Sequence, residues 1–110
     1  MINRNGKISD ILEKLASNEE SVAELYRGYA DTFPVLNDFW TSLATEEMKH
    51  ASWLRNLGRE TEKGTILVNE KRFNIMAVQS MTNYLEKELV RLTEQDIPII
   101  EALSITVSIE

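Results

Sequence analysis

The 110-residue chain has no cysteine, a single histidine, four glycines and two prolines. The absence of cysteine excludes disulfides, thiolate metal sites and cysteine nucleophiles, and it favours a cytoplasmic location. The net charge of −6 disfavours nucleic acid as a partner, because phosphate binding needs clustered lysine and arginine. The longest apolar run, residues 97–109, is shorter than a bilayer span and contains Glu101, so no membrane segment is expected.

The spacing of apolar residues predicts an all-α fold within a single domain over residues 1–110. Residues 8–30 and 34–57 place apolar side chains three and four residues apart, which is typical of amphipathic helices that form an antiparallel hairpin. Residues 58–72 contain two glycines and no sustained period, so they are interpreted as a linker. A linking helix is predicted over residues 73–93, and another helix, apolar on nearly every side, begins within residues 97–110.

Three polar residues interrupt the inward stripes of the hairpin: Glu19 on the first helix, and Glu47 and His50 on the second. At about 1.5 Å per residue, Glu19 and Glu47 lie roughly 20 and 21 Å from the turn, and therefore at one level. Buried charges are costly unless they are paired or bind a metal, and no lysine or arginine occupies either stripe. Carboxylates with an imidazole suit iron or manganese. The alternative is a structural role, in which polar residues set the register of the helices.

A short internal repeat adds a third carboxylate to the candidates. The segment ILEKLASNE, residues 11–19, aligns with ALSITVSIE, residues 102–110. Leu12 then matches Leu103, and Glu19 matches Glu110. The repeat therefore singles out Glu110 as the counterpart of Glu19.

Two motifs stand out: Glu19 lies seven residues before Tyr26, and Glu47-x-x-His50 is followed by Ala51. In these motifs the chain resembles the ferritin-like, rubrerythrin-type di-iron proteins. The resemblance implies a ferritin-like antiparallel helical bundle that holds two iron ions, or manganese in their place. It implies Glu47 and Glu110 as bridging ligands and Glu19 and His50 as terminal ones, with Glu20 as the alternative to Glu19. The activity it implies is iron oxidation, peroxide reduction or oxygen activation, in defence against oxidative stress. The chain has no cysteine pair for an iron centre of its own, so another protein would supply electrons.

The chain departs from the family pattern in one respect, because the family has a second E-x-x-H motif and this sequence contains only one. Two explanations remain open. The chain is a truncated version of a longer ferritin-like chain, or a homodimer or higher homo-oligomer brings together two sets of Glu19, Glu47 and His50. The alternative function is a non-catalytic metal-binding or helical interaction module with an incomplete site.

Three further predictions concern burial and exposed surface. The large aromatic side chains beside the apolar stripes are predicted to lie in the core: Phe39, Trp40, Trp53 and Phe73. Several charged residues are predicted to face solvent: Glu46, Glu86, Lys87, Glu88 and Arg91. The apolar surface of residues 97–109 is expected to pack against another copy of the chain.

Overall fold

The computed structural model describes residues 4–65 and 73–110, and every regular element within these ranges is a helix. The helices are α1 (Arg4–Thr32), α2 (Asn37–Glu62), α3 (Ile75–Glu94) and α4 (Ile99–Ile109), and a 3₁₀ turn over Pro34–Leu36 joins the first two. The predicted all-α class is confirmed for these ranges. None of the helices in them combines the length and apolar character needed to cross a bilayer.

The turn between α1 and α2 is held in part by side chains that bind carbonyl groups in the last turn of α1. The Thr32 hydroxyl donates to the Gly28 carbonyl at 2.8 Å, and the Asn37 amide donates to the Ala30 carbonyl at 3.2 Å. Pro34 lies in the 3₁₀ turn, so α2 begins three residues later than predicted, at Asn37. Helix α1 extends beyond the predicted residues 8–30 at both ends.

Helix α2 continues through Gly58, where the sequence predicts a linker. Gly58 is buried and faces Ser9 and Leu12 of α1, so close helix packing offsets the low helix propensity of glycine. The linker prediction is therefore wrong for residues 58–62. Gly64, two residues beyond the helix, has a φ of 76°, a left-handed conformation that glycine adopts without strain. Residues 66–72 of the predicted linker lie outside the described residues.

Contacts between side chains give the directions of α3 and α4. Asn18 contacts Val78, and Gly28 faces Leu92, so α3 runs in the same direction as α1. Trp40 donates to the Thr106 hydroxyl at 2.9 Å, and α4 therefore rises from the end of the hairpin that carries the turn. As a result α4 runs parallel to α2, and its last residues reach the middle of the hairpin.

The core lies between the four helices and is centred on Tyr29 and Trp40, whose ring centroids are 5.4 Å apart. Trp40 is fully buried, as predicted, and Phe73 is partly buried. The prediction is wrong for Trp53 and Phe39, which are 64% and 43% exposed. Both lie on a flank of α2 that no other described helix covers, so periodicity alone misplaced them.

The predicted solvent-facing side of α3 is also partly wrong. Glu88 is buried, and its two carboxylate oxygens accept from Arg91 at 2.7 and 2.9 Å. Arg91 also donates to Glu101 of α4. Pairing of this kind lets a carboxylate be buried within a helical bundle.

Candidate metal site

Helices α1 and α2 bring Glu19, Glu47 and His50 together near the middle of the hairpin. One ligand atom from each of these residues lies within 4.8 Å of the other two. Glu47 and His50 are three residues apart on α2, so both side chains point to one side of that helix. Glu19 approaches from α1 at the same height. The structure therefore places these three residues as the equal distances from the turn predict.

Glu110 reaches the same region from the end of α4. Its carboxylate lies within hydrogen-bonding reach of Glu47, and its Oε2 accepts from the Tyr26 hydroxyl at 2.8 Å. Tyr26 is fully buried, and this burial, followed by the bond to Glu110, raises the pKa of its hydroxyl. Tyr26 therefore stays protonated and holds Glu110 in place as a hydrogen-bond donor.

Glu47 is the most deeply buried member of the cluster, at 4% exposed. Burial, followed by hydrogen bonds to Glu19 and Glu110, raises the pKa of Glu47 to about 10. At neutral pH the carboxyl group of the metal-free chain is therefore protonated and donates to a neighbouring carboxylate. Among the described residues no lysine or arginine pairs with it, and its nearest basic atom is His50 Nδ1, 3.5 Å from Oε2.

His50 lies at the mouth of the site, with its side chain about half exposed. Glu20, the alternative to Glu19, is placed differently. Its Oε1 accepts from Arg55 Nη2 at 2.7 Å, and this hydrogen bond lowers the pKa of Glu20. Arg55 also binds Glu13, so Glu20 belongs to an ion-pair network on the surface between α1 and α2.

A cavity of about 420 Å³ lies beside the cluster, and Glu19, Glu47, His50 and Glu110 all line it. Its apolar wall consists of side chains from α1, α3 and α4: Leu15, Val22, Ala77, Val78, Met81 and Ile109. The polar groups thus converge on one part of a mostly apolar space. Such a shape is typical of small-ligand and metal sites in proteins.

Asn18 was missed by the sequence analysis, although it also lines the cavity. Its amide donates to the Val78 carbonyl at 3.2 Å, and its Oδ1 accepts from the Thr82 hydroxyl at 2.8 Å. These bonds fix α3 against α1 beside the carboxylates. Its position in the sequence could have identified it. Asn18 lies between Leu15 and Val22 at the three–four spacing of the inward stripe, as Glu47 does in the stripe of α2.

No protein-family model matches the chain, and comparisons with curated proteins and with solved structures find no significant match.

Proposed function

We propose that this chain is a di-metal carboxylate protein of the ferritin-like, rubrerythrin type, acting in the cytoplasm in iron oxidation, peroxide reduction or defence against oxidative stress. The observation that carries the proposal is the burial of Glu47 between two other carboxyl groups without a lysine or arginine partner among the described residues. Such a cluster is costly for a metal-free fold, whereas a cation that replaces the shared protons would be bound strongly.

The donor set favours iron or manganese over other metals. Glu19, Glu47 and Glu110 are hard oxygen donors, and His50 supplies the only imidazole in the sequence. Two such ions, when bound, would supply the one- and two-electron redox chemistry. Glu19, Glu47, His50 and Glu110 would hold them. Tyr26 would orient Glu110 through its hydrogen bond, as residues behind a metal ligand commonly do.

The path of the chain supports the ferritin-like assignment. The carboxylates of the cluster come from α1, α2 and the end of α4, and α3 returns the chain so that α4 runs parallel to α2. A single long crossover between the second and third ligand helices is the topology of ferritin-like bundles.

Metal binding is tested by adding ferrous iron under nitrogen, removing unbound metal by gel filtration and measuring iron per chain by elemental analysis. Glu47→Ala and His50→Ala are expected to lower the affinity at least about tenfold, the range seen even for residues behind metal ligands. Glu24→Ala, at an exposed position of the same bundle, is the matched control and should bind as the wild type does. The proposal fails if the wild type retains no more iron than Glu47→Ala.

A metal-binding module without turnover is the second candidate, and the single imidazole favours it. In this case the four side chains would hold one or two ions without accelerating their oxidation. The two candidates differ in the rate at which bound ferrous iron is oxidised by oxygen or peroxide. If the protein accelerates this oxidation relative to free iron, and Glu47→Ala does not, the enzyme is favoured; equal rates favour the binding module.

A further inference from the structure

Helix α2 carries a second stripe beside the one that faces the core, and one of its members, Leu43, also packs against the core. Its members alternate at spacings of four and three residues, which is the seam of a helix that pairs with another helix. They are Phe39, Leu43, Glu46, His50, Trp53 and Leu57. All six are exposed or only partly buried within the chain, and Trp53 and Phe39 are the two aromatic residues misplaced by the core prediction. The stripe is therefore available to a partner.

The stripe is symmetric about its centre. If a second α2 lies antiparallel across it, Phe39 faces Leu57 of the partner subunit, and Leu43 faces Trp53 of the partner subunit. In the central layers Glu46 faces His50 of the partner subunit. A two-fold interface requires this self-complementarity, because a residue that contacts a second position on the partner is itself contacted there when the two chains exchange places. Each pair of facing residues forms one layer of the interface. The layers at the two ends are apolar, and the two central layers pair a carboxylate with an imidazole.

We propose that this stripe binds a second copy of the chain in that antiparallel register, and that Glu46 of the partner subunit adds a carboxylate to the metal cluster. His50 belongs both to the stripe and to the cluster, so a group that faces His50 also faces the mouth of the site. The two central layers are about 6 Å apart along the helix axis, four residues at 1.5 Å each, so the two clusters become neighbours. The pairing stands on the stripe alone, while the completion of the cluster rests on the proposed function.

Ligand supply and charge both favour a second copy over an unrelated helix. The sequence contains one histidine, so another imidazole near the cluster can come from a second chain. Glu46 is exposed and its only described partner is Lys49, a surface pair at 3.3 Å that contributes little. Facing His50 of the partner subunit, the same carboxylate gains a donor, and the polar central layers set the register between apolar ends.

The register is tested by disulfide cross-linking between introduced cysteines. The chain has no cysteine of its own, so no other disulfide can form. Phe39→Cys chains mixed with Leu57→Cys chains should form a disulfide-linked dimer under mild oxidation, while each variant alone should not. The two positions are about 27 Å apart along one helix, so neither a bond within a chain nor one between identical positions can form in this register. Linkage of Phe39→Cys to itself, or no linkage in the mixture, overturns the proposal.

The surface is tested by Trp53→Glu, with Met48→Glu as the matched control. Met48 is on the same helix, five residues earlier, and lies about 180° around it from the stripe. Light scattering coupled to gel filtration should find dimers for the wild type and for Met48→Glu. Trp53→Glu should raise the dimer dissociation constant at least tenfold. A wild type that stays at the 12.6 kDa monomer mass overturns the proposal.

The contribution of the partner carboxylate is tested by Glu46→Gln in two backgrounds. In the dimeric wild type this substitution should weaken ferrous iron binding several-fold, and in monomeric Trp53→Glu it should have no effect. Equal iron affinity with and without Glu46 in the dimer overturns the shared site. If no variant binds iron but the mixed cysteine chains still cross-link, the proposed function fails while the antiparallel pairing stands.

Discussion

At the scale of single residues, Glu47 is the side chain around which the site is arranged. A carboxyl group without a hydrogen-bond partner is not expected inside an apolar bundle, because its ionised form is costly to bury. Glu47 instead shares hydrogen bonds with Glu19 and Glu110, and it keeps a proton in the metal-free chain. If the chain binds a metal as proposed, a cation that displaced this proton would meet three carboxylates. Glu47 would then link metal affinity to pH and to folding.

The raised pKa of Glu47 makes the stability of the metal-free chain depend on pH. Its pKa is about 10 in the folded chain and near 4.5 when unfolded, so its full contribution is present below pH 4.5 and is lost as pH rises toward 10. The loss has a slope of up to about 1.4 kcal/mol per pH unit. Urea denaturation in a chelator at several pH values should show this slope for the wild type and for Glu24→Gln.

Glu47→Gln should remove most of that slope, because glutamine carries no proton to lose. At neutral and higher pH the variant should therefore be the more stable protein, although it has lost a proposed metal ligand. Equal pH slopes for the wild type and Glu47→Gln would contradict the assignment of Glu47 as a buried, protonated group.

At the scale of elements, the contact of α1 with α2 differs from its contact with α3. Gly58 of α2 faces Ser9 and Leu12 with room for a methyl group, whereas Gly28 of α1 lies directly against the Leu92 side chain of α3. Both glycines are within helices, where alanine is the better helix former. Their different surroundings therefore decide what a substitution does.

Gly58→Ala should raise the free energy of unfolding by about 0.5–1 kcal/mol, because the new Cβ meets Ser9 Oγ at 3.5 Å, an ordinary contact. Gly28→Ala should lower it by about 1 kcal/mol, because its Cβ would overlap the Leu92 Cδ2 methyl and force that side chain to rotate. Denaturant titrations of both variants measure the difference. Equal effects of the two substitutions would show that α3 does not pack closely on α1.

At the scale of the whole molecule, α4 depends on three side-chain bonds at successive heights. Arg91 binds Glu101 near its start, Trp40 binds Thr106 further along, and Tyr26 binds Glu110 at its end. The described chain is elongated, with extents of 50 × 24 × 19 Å, so these bonds lie along the long hairpin instead of around one compact centre. Removing the bond between Arg91 and Glu101 at the start of α4 should therefore affect the position of Glu110 at the end of α4.

Arg91→Ala should lower the midpoint of urea denaturation by more than Arg55→Ala does. It leaves the buried carboxylate of Glu88 without its cation, whereas Arg55 pairs with the exposed Glu13 and the partly exposed Glu20. It should also speed amide hydrogen exchange in α4 and weaken iron binding through Glu110. A further Glu88→Leu change should restore stability. If Arg91→Ala and Arg55→Ala behave alike, the link between α3 and α4 is not what holds α4 in place.

The sequence alone predicted the helical class and the meeting of Glu19, Glu47 and His50, because both depend on local regularities. The three–four spacing shows which residues share a helix face, and the constant rise per residue gives their height above a turn. The repeat that pairs Glu19 with Glu110 also pointed to the side chain that reaches Glu47 from α4. The metals themselves, and the family, remain predictions.

Only the tertiary structure decided which faces are covered and which charges are paired. Trp53 and Trp40 lie beside the same kind of stripe, yet α4 covers Trp40 and nothing described covers Trp53. Glu20 and Glu19 are neighbours, yet of these two it is Glu20 that binds Arg55, thirty-five residues further along the chain. Periodicity describes one helix at a time, whereas burial and ion pairing depend on neighbours that come from distant parts of the chain.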